Sequence, residues 1–158
     1  MRIEYINPFV ESTYSILSEV LGSEVKRGDI FLKPTSMAIQ GVAALVGLAG
    51  DVEGRVLFDM TKSTALFVAG AMNQETFTAL DDLAKATIQE LANMVTAQAI
   101  TKLHEIGFKF DLTPPALFTG ENMEVATNLG EVEALVVPMV FGDNNKLEVN
   151  VAVRERIK

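Results

Sequence analysis

The sequence predicts an α+β fold in which long helices pack on a mostly antiparallel β-sheet. Apolar residues recur at helical spacing in two long segments, residues 8–21 and 76–106. Two other segments, residues 36–60 and 133–154, place β-branched and apolar residues on either side of a turn, as β-hairpins do. Because no linker or low-complexity tract divides the chain, we expect one domain over residues 1–158.

The first half of the chain is predicted to hold one helix and three strands. The helix begins near Asn7 and Pro8, since proline suits the first turn of a helix, and it ends before Gly22. Gly50 and the residue after it give a turn signal. The expected strands are an edge strand near residues 29–33 and a hairpin of residues 36–46 and 53–60.

The second half is predicted to hold two helices and three strands. A short helix over residues 61–72 precedes the long one, which Gly107 ends, and Pro114 and Pro115 interrupt regular structure after it. In the last strand apolar and polar residues alternate, so we expect one face to be buried and the other mostly wet. The expected strands are residues 122–127, 133–141 and 146–154, the last two joined by residues 142–145.

The order helix, strands, helix, strands indicates two related halves, and hence a degenerate internal two-fold repeat. The long helix carries Glu90 and Asn93, and the first helix carries Glu11 and Tyr14 at the same spacing. If the halves arose by duplication, this comparison places Tyr14 in the first copy at the position of Asn93 in the second.

Composition excludes several classes of function. The absence of cysteine removes disulfides and thiolate sites, and the net charge of -8 disfavours binding to nucleic acid. No apolar run approaches the roughly 18 residues that cross a bilayer, so we expect a cytoplasmic protein. The one histidine, His104, is expected to be a surface residue near a helix end, and Asp81 and Asp82 are expected to complement a helix N-terminus.

Glu90 and Asn93 are the residues that we expect to carry chemistry. They lie about 60° apart on a helical wheel, opposite most of the apolar stripe, so both side chains should reach solvent. Ala86 and Ala97 lie one turn before and after them, with Ile100 further along, so a partner could approach closely. The spacing alone would occur by chance in roughly one protein in three of this length, and a plain solvated helix face is the alternative.

The segment Gln89–Thr96 resembles the signature helix of the CheC and CheX phosphatases, in which Glu and Asn stand at this spacing. The order of the other predicted elements is similar to that family over nearly the whole chain. A single motif is closer to CheX, which has one active site, than to CheC, which usually has two. Two positions depart from the family pattern: Ala86 stands where Asp or Ser is usual, and Pro115 falls about one position early.

The resemblance implies an enzyme that hydrolyses the aspartyl phosphate of a CheY-like response regulator. Asn93 would orient the attacking water, and Glu90 would anchor the regulator through a lysine, with Ala86, Ala97 and Ile100 in the contact face. No cofactor is implied for this chain, because the regulator would supply Mg²⁺. A homodimer is also implied, and the strand-rich C-terminus is expected to offer an edge for it. The alternative is a non-catalytic module that docks on a receiver domain or a flagellar-switch component.

Overall fold

The computed structural model describes residues 3–34, 37–125 and 133–155. The helices are α1 (Ile3–Leu21), α2 (Lys62–Asn73) and α3 (Asp82–Glu105). The strands of the first half are β1 (Val25–Arg27), β2 (Phe31–Pro34), β3 (Met37–Ala38), β4 (Val42–Gly50) and β5 (Val52–Met60). Those of the second half are β6 (Phe110–Leu112), β7 (Ala116–Thr119), β8 (Glu124–Val125), β9 (Glu133–Phe141) and β10 (Asn145–Glu155).

The main sheet is antiparallel, with strand order β1-β9-β10-β5-β4-β6. Strand β2 also pairs with β9, and β7 also pairs with β4. Helices α1 and α3 contact each other and cover one face of the sheet, which confirms the predicted α+β architecture. None of the described helices combines the length and apolar character needed to span a membrane.

The strand pairings reveal the internal two-fold repeat. Exchanging β1–β5 for β6–β10 leaves the pairing scheme unchanged, because β1 pairs with β9 as β6 pairs with β4. The same exchange relates the β2–β9 pair to the β7–β4 pair, and the axis runs between β5 and β10. Helix α1 precedes the first set of strands and α3 the second, so the two helices are structural counterparts.

The core lies between the two helices and the central strands. Leu17 of α1 and Leu103 of α3 are fully buried, as are Val56 and Phe58 of β5 and Val149 of β10. Burial of large aliphatic and aromatic side chains on one face of each element stabilises this layer. It also fixes the rotation of α3, and therefore the direction in which its opposite face points.

The helices begin at different residues from those predicted. Helix α1 starts at Ile3 rather than residue 8, because Tyr5 and Ile6 are buried in the core and their burial extends the helix ahead of Pro8. Helix α3 starts at Asp82 rather than residue 76, because Asp81 caps it by accepting a hydrogen bond from the Ala84 amide at 2.9 Å. Leu83 and Ile106 belong to the apolar helical pattern predicted over residues 76–106, yet both are exposed.

The strands also differ from prediction in two places. Of the strand predicted over residues 36–46, residue 36 lies outside the described part of the chain, and the rest is divided into β3 and β4. The break precedes Val42 and includes Gly41, whose φ of 146° suits glycine. The strand predicted over residues 122–127 appears as the short β8, and residues 126 and 127 lie outside the described part of the chain. The edge strand, α2 and the terminal hairpin are confirmed.

The prediction that one face of β10 is mostly wet is wrong. Glu148 and Asn150 are buried, although both point away from the helices. Gln40 donates a hydrogen bond to Glu148 at 3.1 Å, and Arg55 donates one to Asn150 at 2.6 Å. The alternation of apolar and polar residues gave the wrong prediction because these polar side chains are buried and form hydrogen bonds with neighbouring polar side chains. Strand β10 pairs with β5 on one side and β9 on the other, so this strand does not provide the edge that was expected of the C-terminal strands.

Candidate active site on helix α3

Glu90 and Asn93 lie on the outer face of α3, as predicted. Both are exposed, whereas Leu91 and Ala92 between them are about 1% exposed and pack in the core. The buried pair therefore sets the direction of the exposed pair. Within the described residues, no hydrogen bond or ion pair engages the Glu90 carboxylate or the Asn93 side-chain amide, so both groups are available to a partner.

The predicted contact residues lie along the same face. Ala86 and Ala97 are exposed one turn before Glu90 and one turn after Asn93. Ile100 is half-buried and packs partly against the core, so it offers a smaller surface than the two alanines. A stripe with small residues around two polar ones permits close approach of another molecule.

Two hydrogen bonds fix α3 beside this stripe. Gln89 donates through its side chain to the Pro115 carbonyl oxygen at 3.1 Å, which ties the proline segment to the helix next to Glu90. On the other side Asn73 of α2 donates to the Thr87 hydroxyl at 2.8 Å. Pro115 could be identified from the sequence, but the hydrogen-bonding roles of Gln89 and Asn73 could not. Hydrogen bonds between distant segments leave no local pattern in the sequence.

The surface around Glu90 and Asn93 is open. A cleft of about 660 Å³ lies beside α2 between Phe67, Phe77 and Asp143, and another of about 490 Å³ lies between Lys62 and Lys85, among other residues. Neither is lined by Glu90 or Asn93. An exposed helix face suits the surface of a macromolecule better than a small ligand, which would need a concave pocket.

A second polar cluster, on the far face of the sheet, has perturbed ionisation. Burial raises the pKa of Asp59, although hydrogen bonds from Gln40 oppose the shift. Burial also lowers the pKa of Arg55 to about 10. Among the described residues, no group of three or more acidic, histidine or cysteine side chains is arranged to hold a metal ion. This cluster is covered, and its hydrogen bonds join strands, so its role is structural.

His104, Asp81 and Asp82 lie where the sequence predicted. His104 is exposed in the last turn of α3, with its ring 6.1 Å from that of Phe110. Asp81 is the N-cap of α3, and Asp82 lies in its first turn. These residues stabilise the ends of the helix and do not join Glu90 and Asn93 on the central part of its outer face.

Solved structures with this architecture define the class. A CheC-like superfamily protein from Shewanella sp. PV-4 has a TM-score of 0.86 at 24% identity, covering 98% of this chain and 99% of that one. A chain from the CheX-CheY-BeF3-Mg²⁺ complex of Borrelia burgdorferi has a TM-score of 0.85 at 42% identity, covering 98% of this chain and 100% of that one. The fold is therefore CheC-like.

Sequence comparison narrows the class to a family. The model of the family described as "Chemotaxis phosphatase CheX" matches residues 42–139. The CheY-P phosphatase CheX of Thermotoga maritima is 30% identical over 130 residues, which are 79% of this chain and 81% of that protein. The chain belongs to the CheX family of chemotaxis phosphatases, and it is a hydrolase of that class.

Proposed function

We propose that this protein hydrolyses the aspartyl phosphate of a CheY-like response regulator, with Asn93 orienting the water and Glu90 anchoring the regulator. The observation that carries the assignment of residues is the exposure of both side chains on one face of α3 in a chain of the CheX family. Both side chains are exposed and are not engaged by other described residues, which supports their contact with a protein substrate.

The role proposed for Asn93 is to place a water molecule in line with the phosphorus. The amide oxygen accepts a hydrogen bond from the water, and because the amide does not titrate, this contact needs no particular pH. Phosphoryl transfer requires mainly positioning and stabilisation of charge, so one well-placed amide is a sufficient contribution from this chain. Asn93 would touch the reacting water and would be the catalytic residue.

The role proposed for Glu90 is to hold the regulator by pairing with one of its lysines. A charge-assisted hydrogen bond is strongest when the interface excludes water, and Ala86 and Ala97 leave room for that close approach. Glu90 is therefore an anchoring residue. The Mg²⁺ that accompanies phosphoryl chemistry is proposed to be held by the regulator, and the reaction to occur in the cytoplasm.

We also propose that two copies of the chain pair at the edge formed by β2, which among the described strands pairs with β9 alone. Ile30, Phe31 and Leu32 are exposed at this edge, with Leu32 about 59% accessible. An exposed apolar edge strand is a template for pairing with another chain. Light scattering should give the mass of a dimer, and Leu32→Lys should give a monomer. A monomeric wild-type protein at micromolar concentration would reject the pairing.

The proposed activity is tested by following phosphate release from a phosphorylated CheY-like receiver with Mg²⁺, with and without the protein. We expect catalytic amounts to accelerate release beyond the receiver's own rate. A stable complex with no faster release would indicate the binding module instead. Glu90→Gln should raise the receiver concentration needed for half-maximal rate, whereas Asn93→Ala should lower the maximal rate.

A further inference from the structure

Leu83, in the first turn of α3, is exposed although its apolar neighbours are not. About 48% of its surface is accessible. Phe77, Leu80 and Ala84 instead join a hydrophobic cluster with residues of α2. The burial that stabilises these neighbours is therefore denied to Leu83 within the chain, and a contact with another molecule would supply it.

Leu83 lies on the outer face of α3 that carries Glu90 and Asn93. It precedes Glu90 by two turns, and on a helical wheel the two residues are about 20° apart. The rise of the helix separates them by about 10 Å along the axis. Ala86, which lies between them, is exposed and small, so Leu83 is the largest apolar side chain at this end of the face. The leucine therefore extends the surface proposed to contact the receiver.

The two ends of this face differ in polarity. Leu83 lies two turns before Glu90, and Ala97 lies two turns after it. Beyond Ala97 the exposed side chains near the same line include Thr101 and His104, which are polar. The face thus has one apolar end, at Leu83, and one polar end. A partner with a matching apolar patch can bind along it in only one direction, so this difference fixes the orientation of the partner.

The turn that carries Leu83 is held in place before any partner binds. Asp81 caps it by accepting a hydrogen bond from the Ala84 amide. The Leu83 carbonyl oxygen accepts a hydrogen bond from the Thr87 hydroxyl at 2.8 Å, and Asn73 of α2 donates to the same hydroxyl. Because the backbone is already ordered, binding at Leu83 costs only the rotamer freedom of its side chain.

We propose that Leu83 is an apolar anchor for the receiver and determines which receivers bind, an inference that rests on the proposed function. The receiver that fits presents a lysine to Glu90 and an apolar patch about 10 Å away, against Leu83. Covering Leu83 excludes water from that end of the interface, which strengthens the nearby charge pair. A receiver with a charged residue at the patch is disfavoured, because that charge would be desolvated against a leucine.

Substitutions of Leu83 test the anchor by their effect on affinity for a beryllofluoride-loaded CheY-like receiver. Covering the exposed half of a leucine corresponds to about three- to tenfold in affinity, which is the loss expected for Leu83→Ala. The receiver concentration needed for half-maximal phosphate release should rise by the same factor, with the maximal rate unchanged. Leu83→Met keeps a long apolar side chain and should bind as the wild type does, whereas Leu83→Asp should bind more weakly than Leu83→Ala.

Ile106→Ala is the matched control. Ile106 is also an exposed apolar residue, with about 57% of its surface accessible, but it follows the last turn of α3 and lies about 160° from Glu90 on the wheel. Its loss should leave receiver affinity unchanged. The loss in Leu83→Ala should be the same at low and moderate sodium chloride, because no charge is removed, and this distinguishes it from the loss in Glu90→Gln.

Wild-type affinity in both Leu83→Ala and Leu83→Asp would overturn the anchor and leave the proposed function intact. A change of oligomeric mass in Leu83→Asp, measured by light scattering, would place Leu83 between copies of the chain and would also overturn it. Binding that depends on Leu83 without faster phosphate release would refute the hydrolysis and support the anchor. Failure of the wild type to bind the receiver would reject both. Thermal unfolding checks that each variant is folded.

Discussion

Gln89 donates a hydrogen bond to the carbonyl oxygen of Pro115 at 3.1 Å, joining α3 to the segment that follows β6. The bond lies one residue from Glu90, on the flank of the outer face. Proline limits the backbone conformations of its own segment. This single contact therefore fixes the segment around Pro115 next to Glu90 with little loss of backbone entropy. Gln89 is therefore a positioning residue, acting through the proline segment.

Replacement of Gln89 tests this contact. We expect Gln89→Ala to raise the receiver concentration needed for half-maximal rate several-fold, since a misplaced contact surface weakens docking, with a small change in maximal rate. Gln98→Ala, at a half-buried glutamine on the same helix, should have no such effect. Steady-state phosphate release distinguishes the two variants, and equal behaviour would show that the Pro115 contact is irrelevant to docking.

The anchoring role of Glu90 predicts a dependence on salt. Removing one member of an interfacial charge pair weakens binding by about tenfold or more when the pair is desolvated. Receiver affinity of the wild type should therefore fall as ionic strength rises, and Glu90→Gln should bind more weakly and respond less to salt. Titration calorimetry with a beryllofluoride-loaded receiver measures both. An identical salt response in the two proteins would argue against the lysine pair.

The small residue at Ala97 should be required for close approach. Ala97→Trp adds bulk at an exposed position, so we expect unchanged folding and receiver affinity lowered by about tenfold, the cost of forcing a large group into a packed contact. Ser23→Trp, in the exposed connection between α1 and β1, adds the same side chain elsewhere and should bind normally. If both variants bind normally, Ala97 lies outside the interface.

The buried Asp59 should affect stability as pH changes. Because burial raises its folded-state pKa above the unfolded value, its contribution to stability is greatest below the unfolded pKa of about 3.9 and is lost as pH rises through the folded value. Asp59→Asn should therefore be relatively more stable than the wild type above that range. Denaturant unfolding at several pH values tests this, and a difference that does not vary with pH would contradict it.

Local patterns predicted the elements whose burial follows from nearby residues. The terminal hairpin and the outward direction of Glu90 and Asn93 followed from periodicity, and the structure confirms them. The start of α1 could not be predicted from periodicity, because Tyr5 is buried by segments that are distant in sequence. The buried Glu148 also escaped prediction, since its partners Gln40 and Lys33 lie more than 100 residues away. Contacts of that range leave no periodic signal.

The same limit explains the misplaced comparison of the two halves. Sequence alone aligned Glu11 with Glu90, since both begin a similar four-residue spacing on an amphipathic helix. Strand pairing and the last buried leucine of each helix, Leu17 in α1 and Leu103 in α3, move the counterpart to Glu4, two turns earlier. A shift of two turns nearly preserves the helical periodicity, so only the tertiary structure distinguishes the two alignments.

The central claim, that Asn93 orients the attacking water, is tested most directly by the maximal rate of phosphate release in Asn93→Ala. With saturating phosphorylated receiver and Mg²⁺, we predict a fall of about a hundredfold, because loss of positioning at the reacting atom costs that order of rate. Affinity for the beryllofluoride-loaded receiver should change little. A maximal rate within about twofold of the wild type would contradict the claim, since an effect so small is well below that of a positioning group.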